Sequence, residues 1–140
     1  MPVMDRQDTQ DDAQNHGKIM IVDDEPAVGD YLGELLRRQG YDVVVETESK
    51  IALATLKQTP TAIDLIITDQ TMPDMTGLEL AAEIRSLQLE LPIILLSGYS
   101  EQINSATATG DCIQAYFRKP IDSSLLLEKV DELLNSPGDT

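Results

Sequence analysis

Tryptophan is absent from the 140 residues, phenylalanine occurs once, and cysteine and histidine are single residues, Cys112 and His16. One cysteine allows neither an internal disulfide nor a cysteine metal cluster, and makes a reducing cytoplasm the simplest compartment. Cys112 itself reads as a small buried apolar residue. His16, set in a polar stretch with no other ligand beside it, reads as a solvated tail residue rather than a metal ligand or a catalytic base. Basic side chains are scarce: 10 Lys and Arg stand against 25 Asp and Glu, a formal charge of −15. Such a chain does not bind nucleic acid or an anionic membrane through charge, and its partners are expected to be cations or basic protein surfaces. No apolar run approaches the ~20 residues of a membrane span, and the polar, acidic stretch 1–17 is unlike a signal peptide. The expectation is a soluble, cytoplasmic, one-domain protein.

What is present is alternation. Between a disordered acidic leader at 1–17 and a disordered tail at 137–140, residues 18–136 read as one domain. Apolar runs of strand length occupy 18–22, "YDVVV" 41–45, "DLIIT" 64–68, "PIILLS" 92–97 and "AYFR" 115–118. The interior runs are continuously apolar, as expected of parallel strands covered on both faces. Helix-compatible stretches lie between them. "PAVGDYLGELLRRQG" closes on Gly40 as a C-cap, "SKIALATLKQT" opens on Ser49 as a cap, and "GLELAAEIRSL" and "DSSLLLEKVDELLN" carry apolar residues at helical spacing. A fifth stretch, 101–111, is poor in large apolar residues and interrupted at Gly110, which makes it a weak helix. Five strands alternating with five helices predict an α/β, doubly wound, five-stranded parallel sheet.

The chemistry lies where the strands end. Strand one runs straight into Asp23, Asp24 and Glu25, three adjacent acids that repel one another, where one Asp would suffice to cap the following helix. Asp69 ends the third apolar run. Doubly wound sheets gather the carboxyl ends of their strands at one edge, so Asp23, Asp24 and Asp69 converge there. Such a cluster needs a cation, and an all-oxygen donor set suits Mg²⁺ rather than zinc. Ser97 ends strand four and offers a hydroxyl to an oxyanion; Lys119 follows strand five. A carboxylate, a divalent cation, a hydroxyl and an ammonium around one point describe a phosphoryl-transfer site, with Asp69 as nucleophile and an acyl phosphate as product. Singly, Asp69 reads as a turn former, Ser97 as a helix cap and Lys119 as a solvated charge. Their conjunction at different strand ends favours the chemical reading.

At "VDDEP", "DLIITDQTMPDMTGLEL", "PIILLSG" and "YFRKP" the chain resembles the receiver domain of two-component response regulators, over about residues 17–136. The resemblance implies a flavodoxin-like strand order 2-1-3-4-5 and phosphoryl transfer from a phosphohistidine to Asp69. It implies Mg²⁺ (with Mn²⁺ as a substitute) held by Asp24, Asp69 and the Thr71 backbone carbonyl, with Asp23 acting directly or through water. It further implies that Ser97 and Lys119 contact the phosphoryl oxygens and that Tyr116 is a switch whose ring turns from exposed to buried. The implied phosphodonor is a histidine kinase or histidine phosphotransfer protein. The downstream protein target would dock on the fourth helix, fifth strand and fifth helix, and a phosphorylation-dependent dimer stays open.

The likeness has departures. Cys112 stands where receivers usually carry a glycine, Ser97 replaces the commoner threonine, and Thr71 and Tyr99 occupy positions that tune dephosphorylation in the family. A flavodoxin-like electron carrier shares the fold, but Asp23, Asp24 and Glu25 would repel a cofactor phosphate. A haloacid-dehalogenase-like phosphatase resembles "DQT" at 69–71, yet Thr71 stands where its second Asp, the general acid for turnover, is needed. A pseudo-receiver would lack part of the acid, hydroxyl and lysine set, all of which is present. The expected function is therefore a phosphorylatable signalling domain, not an enzyme in its own right, that signals by contact with another protein.

Overall fold

The computed structural model describes residues 17–98 and 113–135. The expectations for residues 1–16 of the leader, His16 among them, and for Tyr99, the weak helix at 101–111, Gly110, Cys112 and the tail lie outside the described residues; the Gly17 carbonyl, expected in the disordered leader, instead accepts the Asp42 N–H at 3.1 Å beside β1. The elements are β1 (Lys18–Val22), α1 (Pro26–Arg38), β2 (Asp42–Glu46), α2 (Ser49–Gln58), β3 (Leu65–Asp69), α3 (Gly77–Ser86), β4 (Ile93–Ser97), β5 (Ala115–Arg118) and α4 (Ser123–Asn135). All strand pairs are parallel and the order is β2-β1-β3-β4-β5. Four helices stand among the described residues, against five expected over the whole chain. None of them is long and apolar enough to cross a membrane.

The alternation of side chains along each strand divides the core in two. On one face Met20, Val22, Ile66, Ile93 and Leu95 meet Ala52, Leu53 and Leu56 of α2 and Leu80, Ala81 and Ile84 of α3. On the other, Ile19, Ile21, Leu65, Ile67, Ile94 and Leu96 meet Leu32 and Leu36 of α1 and Leu126 and Val130 of α4. Residues facing both ways are buried, which is why β3 is apolar without alternation through Ile67 and β4 through Leu96. α1 approaches β2 closely: a Cβ on Gly29 would lie 2.6 Å from Val45 Cγ1.

Three local expectations are corrected. β2 and β3 begin one residue later than their apolar runs, because the ladder opens by pairing Asp42 with Lys18 and Leu65 with Ile19; Asp69 is the last residue of β3, paired with Leu96. Ser49 does not cap α2. The N-cap is Glu48, without a side-chain bond, and the buried Ser49 hydroxyl donates instead to the Met75 carbonyl at 3.2 Å. The C-cap of α1 is Gln39; Gly40 follows it at φ +98°, the left-handed conformation that a glycine adopts without strain, and its N–H reaches the Arg37 carbonyl.

The topology positions the site. From β1 the chain runs outward to β2 and returns to β3 on β1's other side, so the carboxyl ends of β1 and β3 sit side by side at the switch point of the sheet. The loops that leave these two strands are brought together whatever their sequence.

Candidate functional site

Both loops open on acid. Carboxylate oxygens of Asp23, Asp24 and Asp69 all lie within 4.8 Å of one another, with Asp23 and Asp69 buried and Asp24 exposed. Asp23 does not cap α1, whose N-cap is Glu25 without a side-chain bond. One Asp23 oxygen accepts the Glu25 N–H at 2.9 Å and so turns the chain into the helix, while the other, Oδ2, is buried with no hydrogen-bond partner. A buried carboxylate oxygen without a donor costs free energy unless something cationic meets it. Burial above all pushes the Asp23 pKa from the usual 3.8 up to about 6, and the charges of Asp69 and Asp24 add to the rise. Asp69 is raised as well, by burial first and by Asp24 in smaller part, against the opposing pull of Lys119.

Lys119 comes from the far side of the sheet. Its N–H donates to the Ser97 carbonyl at 2.7 Å, continuing the β4–β5 ladder past Arg118, and its peptide bond to Pro120 is cis. Its Nζ stands 2.9 Å from Asp69 Oδ1. Burial works against the ammonium, yet the hydrogen bond and charge of Asp69 outweigh it and hold the Lys119 pKa above its ordinary value. One ammonium against three carboxylates leaves a net negative centre lined by oxygen donors. That donor set fits a hard divalent cation such as Mg²⁺, and the unpartnered Asp23 Oδ2 is the atom that such an ion would satisfy.

Ser97 is fully buried at the end of β4, one residue beyond Leu96, which pairs with Asp69. Its hydroxyl is hydrogen-bonded to the Tyr116 hydroxyl at 3.0 Å. Tyr116 is half-buried in this structure, where the sequence led us to expect an exposed ring. Asp23, Asp24, Asp69, Ser97 and Lys119 thus stand at or just beyond the carboxyl ends of β1, β3, β4 and β5, while Tyr116 lies inside β5 beside Ser97. Thr71 lies two residues beyond Asp69 and is exposed.

Three polar residues near the acids were not anticipated. Thr68 donates its hydroxyl to the Asp69 carbonyl at 3.0 Å. Gln70 directs its side-chain oxygen to the Leu78 N–H, and Ser49 reaches the loop after β3 through Met75. Only the N-terminus of α3 carried a local signal: in "TGLE", Thr76 and Glu79 form a capping box.

Known proteins share both the sequence pattern and the fold. The family model described as "Response regulator receiver domain" matches residues 19–131. The Escherichia coli K12 transcriptional regulatory protein GlrR is 31% identical over 116 residues, 83% of this chain and 26% of that protein. The Bacillus subtilis uncharacterized transcriptional regulatory protein YbdJ is 31% identical over 117 residues, 84% of this chain and 50% of that one. The chain therefore spans about a quarter to a half of the length of these curated relatives. Among solved structures, a response regulator receiver domain protein from Clostridium thermocellum superposes with a TM-score of 0.79 at 27% identity, covering 85% of this chain and 94% of that one.

Proposed function

This chain belongs to the response regulator receiver family of two-component systems, and from that premise we propose that Asp69 accepts a phosphoryl group from a phosphohistidine of a histidine kinase or histidine phosphotransfer protein. The observation that carries the reading is the meeting of Asp23, Asp24 and Asp69 within 4.8 Å, with Lys119 2.9 Å from Asp69. Asp69 Oδ attacks phosphorus in line; a P–O bond forms, the P–N bond to imidazole breaks, and the imidazole leaves with a proton from solvent. Lys119 pairs with the Asp69 carboxylate before transfer and then with the negative phosphoryl oxygens. Ser97 donates its hydroxyl to one of those oxygens. Asp23, Asp24, Asp69 and the Thr71 carbonyl would hold Mg²⁺ (or Mn²⁺), which when bound supplies positive charge to the cluster and to the transferring group.

The signal leaves through Ser97 and Tyr116. A hydroxyl has one proton, so donating to a phosphoryl oxygen ends donation to Tyr116 and resets their hydrogen bond. The readout is contact with a downstream protein on the surface that includes β5 and α4, with a phosphorylation-dependent dimer as one form of it. At a charge of −15 this domain itself makes no nucleic-acid contact. The single cysteine suits a reducing cytoplasm.

Acetyl phosphate with Mg²⁺, followed by intact mass, tests the assignment. One added phosphoryl group on the wild type and none on Asp69→Asn is the expected result. Phosphate recovered on a serine, or modification that persists in Asp69→Asn, would overturn it.

A further inference from the structure

The loop between β3 and α3 carries Thr71 and is held from three directions by groups that have no part in the chemistry above. Gln70 is gripped on both sides. Its N–H donates to the Leu96 carbonyl of β4 at 2.8 Å, its carbonyl accepts the Gly77 N–H at 3.1 Å, and its side-chain Oε1 accepts the Leu78 N–H at 2.9 Å. Gly77 and Leu78 are the first two residues of α3, whose opening N–H groups have no partner within the helix. One residue therefore satisfies two of them across a loop of six residues. Thr76 satisfies the third, accepting from Glu79 N–H at 3.1 Å. From the other side Ser49, only 2% exposed at the start of α2, donates to the Met75 carbonyl at 3.2 Å. Met72 and Met75 pack into the core beneath α2 and α3. Gly77 completes the fit, since a Cβ there would lie 2.5 Å from the Asp69 carbonyl oxygen.

We propose that Gln70 and Ser49 are positioning residues for the metal site: they hold residues 70–76 in one shape before any metal arrives. Thr71 is the next residue after the doubly gripped Gln70, so its backbone is fixed from one side by β4 and from the other by α3. A ligand on a loop that is already ordered costs less to engage than one that must be ordered on binding. The contacts are specific to side chains: a glutamine at 70 can reach the Leu78 amide, and a hydroxyl at 49 can reach Met75, where alanine at either position can do neither. This inference rests on the proposed function for its metal. The bracing itself is a property of the metal-free chain.

Two measurements separate them. In metal-free protein, hydrogen exchange followed by NMR should show the Leu78 amide protected in the wild type and in Gln70→Glu, which keeps the acceptor. In Gln70→Met, which keeps the shape without it, the amide should exchange at least tenfold faster while the amides of β1 and β4 stay protected. Calorimetric titration with Mg²⁺ should then give a Kd about two- to tenfold weaker in Gln70→Met and in Ser49→Ala than in the wild type, the range that losing one hydrogen bond produces. An unprotected Leu78 amide in the wild type, or wild-type Mg²⁺ affinity in both variants, would overturn the positioning role and leave the phosphoacceptor reading standing. A wild type that binds no Mg²⁺ would overturn that reading, whatever the exchange rates.

Discussion

Replacing Asp23 by Asn should make the metal-free protein more stable at neutral pH, although it removes one acid of the candidate site. The Asp23 pKa is raised from 3.8 to about 6, chiefly because burial penalises its charged form. A carboxyl that binds its proton more tightly folded than unfolded favours the folded state only while protonated. The penalty is absent well below 3.8, develops as pH rises toward 6, and is complete above it. At about 1.4 kcal/mol per pKa unit the full penalty is about 3 kcal/mol. Near pH 4.5 only about a third of it has developed. An asparagine can still accept the Glu25 N–H, and its amide can donate where Asp23 Oδ2 finds no donor. Urea denaturation in EDTA should therefore show Asp23→Asn more stable than wild type by up to about 3 kcal/mol near pH 7.5, and by about 1 kcal/mol near pH 4.5. Mg²⁺ should reverse the order at neutral pH, because it stabilises a wild type that binds it more than a variant with one acid fewer. A variant no more stable than wild type at pH 7.5 in EDTA, or a gap independent of pH, would refute the account of the cluster as a strained, cation-seeking site.

Lys119→Ala should slow phosphorylation of Asp69 by acetyl phosphate about a hundredfold, the usual cost of one missing donor to developing charge, as read by intact mass against time. Gly77→Ala should lower stability by about 1–3 kcal/mol in thermal denaturation, because its Cβ meets the Asp69 backbone oxygen, which cannot move without moving β3. Gly29→Ala should cost less, since Val45 alone stands in the way and alanine gains about 1 kcal/mol of helix propensity inside α1. Tyr116→Phe should bind the phosphoryl mimic beryllofluoride at least as tightly as wild type, because Ser97 no longer gives up a partner, while Ser97→Ala should bind it about tenfold more weakly; calorimetry reads both.

Much of the fold was legible because the core imposes a simple demand. A parallel strand covered on both faces is largely apolar, and "LII" and "IILL" stand out as such. Four helices were legible from apolar spacing and from expected caps, and they formed although the caps at Gly40 and Ser49 were misplaced. Two strand starts were off by a residue because register is settled between strands: Tyr41 and Asp64 head their apolar runs, yet the ladders begin at Asp42 and Leu65. The strand order itself came from family likeness. Ser49 was misread for a related reason. A serine before an apolar helical run is a good N-cap by local rules, but a carbonyl 26 residues away took its hydroxyl.

The candidate site divides along the same line. Its charged groups were legible because they violate a local rule: three acids in contact with a buried strand, and a further polar end on each neighbouring strand, have no structural use that one residue could not serve. Residues that support those groups break no rule. Thr68 inside β3 reads as an ordinary strand residue, and Gln70 reads as an ordinary loop residue, until the fold sets the Asp69 carbonyl and the Leu78 amide beside them. Sequence thus exposes groups whose placement is costly, and only the fold exposes those whose placement is merely accurate to within a hydrogen bond. Asp23 belongs to both kinds. Its charge announces the candidate site, while the turn made by one of its oxygens and the missing donor of the other appear only in three dimensions: the oxygen that the fold satisfies shapes the loop, and the one that it does not is the atom that a cation would meet.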